Sequence, residues 1–184
     1  MKRLMWLWLL ALACMPSLAD NLKTTVDSSD NVLSVKIMKS KDLKRVPVDV
    51  YMDNPSVPMT CVQCYLQLSD SSNVFCKDED GKSILFSRTT RWTPQHQTLL
   101  TWNTKKHTGS LMALVVSPKS ENFKGTTGPV LTVYMDLSSL ADGKYTLRMH
   151  DANMVWTDKR KISTYLTPDT EATFVKKGNK LLIQ

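Results

Sequence analysis

Cys61-Val-Gln-Cys64 has the spacing of a redox-active pair or of half a zinc site, and Cys76 adds a third thiol downstream. A thioredoxin-like pair needs its first Cys at a helix N-terminus after a strand, and zinc needs a second ligand pair of comparable spacing. Neither is found, because His96, His107 and His150 are scattered singly and no helical pattern follows Cys61. Instead Val62, Cys64, Leu66 and Leu68 alternate with Gln63, Tyr65 and Gln67 as in a strand. In an extended strand, positions i and i+3 lie ~10 Å apart on opposite faces, too far for a disulfide. Cys64 is therefore expected as a small core residue, with a Cys64–Cys76 bridge between neighbouring strands as the minor alternative.

Hydrolytic chemistry has no better support. There is no Gly-x-Ser-x-Gly elbow, and the serines fall in turns and strands. The acids Asp53, Asp70, Asp78, Glu79, Asp80, Glu121, Asp142, Asp151, Asp158, Asp169 and Glu171 mostly sit in turns, where turn propensity alone explains them. Asp78-Glu79-Asp80-Gly81 could surround calcium, but it lacks the third acidic position and terminal bidentate Glu of an EF-hand loop and reads as a hairpin. No catalytic residue, metal site or cofactor is expected.

The side chains with most to offer a ligand are aromatic. Trp92 stands in a loop-like context between Arg91 and Thr93-Pro94, Trp102 lies on a strand after Leu99-Leu100-Thr101, and Trp156 ends another strand. A flat exposed indole can stack on a sugar ring, whereas a buried one only fills the core. Trp92, Trp102 and Tyr65 are the ligand-binding candidates, with Trp92 the best; Tyr51 and Tyr134 join them if their strand faces point to solvent. Nucleic-acid binding would need the basic clusters Lys39–Arg45, Lys159-Arg160-Lys161 and Lys176-Lys177 on one face with aromatic stacking, and an exported protein seldom meets that ligand. A solvated face, or attraction to anionic surface polysaccharide, is expected instead.

These residues must be positioned by one modest core, since 184 residues at 42% hydrophobic content suit a single domain. Lys2 and Arg3, the apolar run Leu4–Ala13, and Ser17-Leu18-Ala19 before Asp20 read as a signal peptide over residues 1–19, leaving 20–184 as the mature domain. Its removal lowers the cations from 24 to 22 against 17 acids, for a net charge of +5. Ala11-Leu12-Ala13-Cys14 partly matches a lipobox, so lipid anchoring at Cys14 is the lesser alternative. From Asp20 onward no apolar run approaches the ~20 residues needed to span a bilayer. The expected location is secreted, periplasmic or on the cell surface.

The mature chain reads as a succession of strands. Candidates are 32–37, 46–51, 57–68, 74–77, 83–87, 98–103, 110–116, 129–137, 143–149, 153–156, 161–166, 172–176 and 180–183, separated by turn-forming residues. Asp80-Gly81 and Asp142-Gly143 are expected to supply left-handed turn conformations, and Pro47 to mark a strand start or edge. Ser138–Asp142 is the one candidate helical turn. Many short strands without intervening helices imply an all-β antiparallel β-sandwich, or jelly roll, of about nine strands.

Val46–Leu68, and especially Met59-Thr-Cys-Val-Gln-Cys-Tyr-Leu-Gln-Leu68, resembles the second and third strands of cohesin-like domains of secreted bacterial proteins, with Thr60 and Gln63 at matching places. Ser87-Arg88-Thr89, Leu114–Pro118, Phe123-Lys124-Gly125, Gly128–Leu131 and Asp142–Leu147 follow in the order of that family's later strands. The resemblance spans about residues 31–156, with Cys64 in place of an aromatic and Ser69 in place of a proline. It implies a noncatalytic module that recognises an exported protein or a cell surface. A carbohydrate-binding module is the alternative and a small hydrolase a distant third, because architecture alone does not assign activity.

Overall fold

The protein is described by a computed structural model over residues 30–103, 109–158 and 161–184. The signal segment 1–19, Cys14, His107, Lys159 and Arg160 lie outside the described residues. Among the described residues there is no helix, and eleven strands follow in order: β1 Val32–Ile37, β2 Val46–Asp53, β3 Cys61–Leu68, β4 Phe86–Ser87, β5 Gln97–Asn103, β6 Ser110–Val116, β7 Thr127–Met135, β8 Gly143–Asp158, β9 Lys161–Leu166, β10 Thr170–Lys177 and β11 Lys180–Ile183. The surplus over nine lies in short pieces such as the two-residue β4 and the four-residue β11.

The strands form two antiparallel sheets. One is four-stranded in the order β1-β2-β7-β4; the other runs β11-β10-β8-β3-β6-β5, with β9 pairing the far half of β8. Alternation decides which side chains meet between them. From the first sheet, Leu33, Val35, Ile37, Val46, Val48, Val50, Met52, Leu131, Val133 and Met135 are buried in the core. From the second, Val62, Cys64, Leu66, Leu68, Leu111, Ala113, Val115, Leu147, Met149, Met154 and Phe174 close against them. A buried leucine, valine or phenylalanine contributes about 1.5–3 kcal/mol relative to an exposed one, so this layer holds the fold.

Several expected boundaries move. The alternation that breaks after Met149 and resumes at Asn153 is a bulge within the single strand β8: Gln63 faces Asn153, but Tyr65 faces His150, and Asp151 takes φ 47. Residues 57–60 precede β3 as a bend, tied by Asn54 Nδ2 donating to the Val57 carbonyl at 2.8 Å. The 74–77 segment reduces to two bridges, Phe75 to Met135 and Lys77 to Ile84. Ser138–Asp142 is a turn rather than a helix, with Leu140 N donating to Leu137 O at 3.3 Å. Pro47 does mark a strand start, yet β2 is no edge: it lies between β1 and β7, and the Pro47 carbonyl accepts from Met38 N. Gly81 has φ 67 as expected, whereas Gly143 is not left-handed. Gly109, at φ 81, is dictated by closeness, since a Cβ there would lie 2.6 Å from Ser71 Cβ.

Candidate functional site

Trp92 lies in the connection between β4 and β5 and is buried, which corrects the expectation of an exposed platform. Its Nε1 donates to the Val130 carbonyl, Phe86 stacks 6.2 Å away, and the Arg88 guanidinium covers its ring at 5.1 Å. A buried indole must satisfy its N–H, and Val130 on β7 does so. Tyr65 points to the outer face of the second sheet, yet it too is buried, stacked on His150 with centroids 5.5 Å apart. Burial, then the Asp151 carboxylate and Cys64, raise the Tyr65 hydroxyl above its ordinary pKa of 10.0. Trp102 is half-buried on the edge strand β5 and leans on Phe75 and the sandwich core, with centroids 6.3 Å apart. The three candidates therefore do not converge on one surface.

Tyr51 and Tyr134 do face outward, from the first sheet, and both are half-buried. Their ring faces are taken: Lys36 Nζ lies 3.2 Å from the Tyr51 centroid and Arg45 4.7 Å from that of Tyr134. The same face pairs Thr132 Oγ1 with Asp49 Oδ1 at 2.6 Å and the Tyr134 and Ser87 hydroxyls at 2.7 Å. It is a polar surface whose groups satisfy one another.

The outer face of the second sheet differs. Where β5, β6, β3, β8 and β9 run side by side, the register sets Leu99 beside Leu114, Val116 beside Cys61, Cys61 beside Val155, and Thr157 beside Ile162. Cys61, Leu114, Val116 and Val155 form a second apolar cluster, separate from the sandwich core and itself buried, with half-buried Leu99 and Ile162 at its margin. Gln63 and Asn153 adjoin it in the same row, and Asn153 Oδ1 is buried without a hydrogen-bond partner among the described residues. Leu166, on β9 beside Asn153, is 47% exposed.

Farther along this face the bulge of β8 aims His150 at both Ser110 and Asp151. Ser110 Oγ lies 3.3 Å from His150 Nε2, and Asp151 Oδ2 lies 3.1 Å from His150 Nδ1. The side-chain types are those of a hydrolytic triad, but the order of exposure is reversed: Ser110 is wholly buried and the Asp151 side chain is 58% exposed. A nucleophile must reach its substrate, and this hydroxyl is the innermost member, so the chain ties β6 to β8 across β3. Sequence reasoning missed both this chain and the second apolar cluster, since strand pairing assembles them. The one available signal was the slip in alternation between Met149 and Asn153.

The remaining thiols and acids are accounted for locally. Cys64 and Cys76 are not bridged; Cys64 lies in the core, and the Cys76 thiol donates to the Lys44 carbonyl at 3.3 Å. Asp78 Oδ1 accepts from the Lys82 and Ser83 amides at 3.0 and 3.2 Å, the pattern of a side chain closing its own turn. Among the described residues, no three His, Cys, Asp or Glu side chains converge on a common point.

No protein-family model matches the chain, and no curated protein matches it. Solved structures do. The seventh ScaB type I cohesin from Pseudobacteroides cellulosolvens aligns with a TM-score of 0.52 at 14% identity, over 76% of this chain and 90% of that one. The sixth cohesin of Acetivibrio cellulolyticus scaffoldin B, solved in complex with a mutant Cel5 dockerin, aligns at 0.49 and 13% identity, over 76% of this chain and all of that one. Two antiparallel sheets in this order, and their likeness to the ScaB module, show a cohesin-like β-sandwich.

Proposed function

We propose that this chain is an exported, noncatalytic recognition module whose contact surface is the outer face of the seven-stranded sheet, and that its partner is another exported protein. The observation that carries the reading is the apolar margin of this face, where half-buried Leu99 and Ile162 and the 47% exposed Leu166 flank the second cluster, whose own members are buried. Apolar side chains left partly uncovered at the edge of a packed sheet face are what a protein partner can bury further. The polar and self-satisfied outer face of the first sheet offers no comparable margin. The cohesin-like fold supports the same reading, since the resemblance implies protein recognition. Residues 1–19 act as the export signal, and residues 20–184 as the mature domain.

The test is affinity capture from the exported proteins of the same cell, comparing the wild-type protein with Leu99→Asp and Ile162→Asp. Both positions are half-buried at the margin of the cluster, and an unchanged circular dichroism spectrum and Tm of each variant establishes that only the apolar contact is lost. A specific protein partner retained by the wild type and lost by both variants supports the reading. Binding to polysaccharide that soluble sugar competes away, and that Trp102→Ala abolishes, replaces it with the carbohydrate-binding alternative.

A further inference from the structure

β11 closes the seven-stranded sheet, and no strand among the described residues pairs with its outer edge. In the β10–β11 hairpin, Gln184 N donates to Thr173 O at 3.0 Å, which makes Thr173 and Gln184 a hydrogen-bonded pair. Antiparallel pairs alternate, so Val175 with Leu182 is the next such pair, and Leu181 and Ile183 turn their N–H and C=O groups away from β10 toward the open edge. There a cleft of about 570 Å³ lies between β11 and the β1–β2 turn, lined by Lys39, Ser40, Lys41, Leu181, Leu182 and Ile183.

One wall of this cleft is aliphatic, with Leu182 55% exposed, and the other is cationic. Lys39 and Lys41 are exposed and make no ion pair among the described residues. The acid of their own turn is engaged elsewhere: Asp42 Oδ1 accepts from Lys44 N at 2.9 Å. Ser40 Oγ donates to Asp42 O at 2.9 Å and accepts from Asp42 N at 3.1 Å, so the turn is shaped before any ligand arrives. Lys180, also exposed, adds a cation where β11 begins.

We infer that this edge accepts an extended acidic segment of a partner protein as an added strand. Leu181 and Ile183 supply the main-chain hydrogen bonds, Lys39 and Lys41 pair with the segment's carboxylates, and Leu182 packs on its apolar side chains. A second copy of this chain is the poorer occupant. Self-pairing of β11 would set the lysines of one copy against those of the other, and juxtaposed like charges repel. Lysines on an edge strand also guard against promiscuous pairing; the same charges that turn away neutral or basic strands admit an acidic one. The edge is separate from the outer-face cluster, so either surface can fail its test without the other.

The experiment follows the backbone amide resonances of the full protein during titration with a short peptide alternating Glu with Val. Its controls are the same peptide with Lys for Glu, and the acidic peptide N-methylated at alternate residues so that it cannot pair. The expected result is saturable shifts and exchange protection at the Leu181 and Ile183 amides. The Lys and N-methylated peptides should leave those amides unmoved, and K39E/K41E should weaken acidic-peptide binding about tenfold without altering the rest of the spectrum. Unmoved Leu181 and Ile183 amides would overturn the inference. So would equal affinity for the acidic and basic peptides, or undiminished binding by the charge-reversed variant.

Discussion

Arg91 Nη2 donates to Asn54 Oδ1 at 2.6 Å, with both side chains buried. The same guanidinium donates to the carbonyls of Lys124 and Met52 at 2.8 Å, Gly125 at 2.9 Å and Gly128 at 3.2 Å. A cation thereby ties the end of β2 to the segment entering β7, with its donors satisfied by neutral oxygens. Burial lowers the Arg91 pKa, opposed by Asp53 and Tyr51. Arg91→Met strands several buried acceptors and should destabilise the protein by about 3 kcal/mol or more in urea unfolding. Arg91→Lys keeps the charge but not the planar fork and should recover only part of the loss.

Burial pushes the Cys64 thiol up to about 12 from its ordinary value of 9.0. Because the folded pKa lies above the unfolded one, the stability linked to this proton is complete below pH 9.0 and is lost as pH rises toward about 12. Cys64 should resist maleimide at neutral pH until the protein unfolds, whereas half-buried Cys76 should react in the native state. Mass spectrometry of the labelled peptides checks this; native labelling of Cys64 ahead of Cys76 would contradict the packing.

His96 is wholly buried 4.2 Å from the Phe123 ring, and its Nδ1 accepts from the Thr93 amide at 3.0 Å. Nδ1 also lies 2.9 Å from Thr93 Oγ1, whereas Nε2 has no partner among the described residues, so the charged ring is left unsatisfied on its Nε2 side. Burial is the main cause of its lowered pKa, opposed by Glu121 and the Thr93 bond and reinforced by Arg88. The unfolded chain therefore takes up the proton first. The contribution to stability is full above the ordinary pKa of 6.5 and lost as pH falls below it. Tm should drop as pH goes from about 7 to about 5, and His96→Gln should flatten that slope.

Asp142 precedes β8 and anchors the far hairpin. Its carboxylate accepts from Gly178 N at 2.8 and 3.0 Å and from Lys176 Nζ at 3.2 Å, and the Lys176 side chain is only 8% exposed. The Gly178 amide, then Lys176, hold the Asp142 pKa below its ordinary 3.8. This stabilisation is present above pH 3.8 and is lost as pH falls through the depressed value. Asp142→Asn should lower Tm and speed amide exchange in β10 and β11 more than in β2 or β7. A uniform change across the sheets would show that the carboxylate does not anchor the hairpin.

Much of the fold was legible from local pattern. In β2, Val46, Val48, Val50 and Met52 alternate with Pro47, Asp49, Tyr51 and Asp53, and the first set is the buried one, because a strand has one phase and water selects it. Even the bulge left a trace: the inward set runs Leu147 and Met149, then Ala152 and Met154, a slip of one residue. The same pattern could not say that residues 143–158 form one strand, because a phase slip and a chain break look alike until a neighbour pairs across both halves.

The aromatic side chains show the other limit. Trp92 looked loop-like because Arg91, Thr93 and Pro94 flank it, but its burial is set by Phe86, His96 and the Val130 carbonyl, contributed by separate parts of the chain. Cys61, Leu114, Val116 and Val155 likewise carry no shared local signal; they become one buried cluster only when β3, β6 and β8 align in register. The sequence by itself determined an all-β chain with the turns and phases of a cohesin-like sandwich, since those follow from the conformational preference of each residue and its nearest neighbours. Which side chains form the second cluster, which aromatics are buried and which described strand ends the sheet were decided by tertiary structure alone, because each depends on residues brought together across strands far apart in the chain.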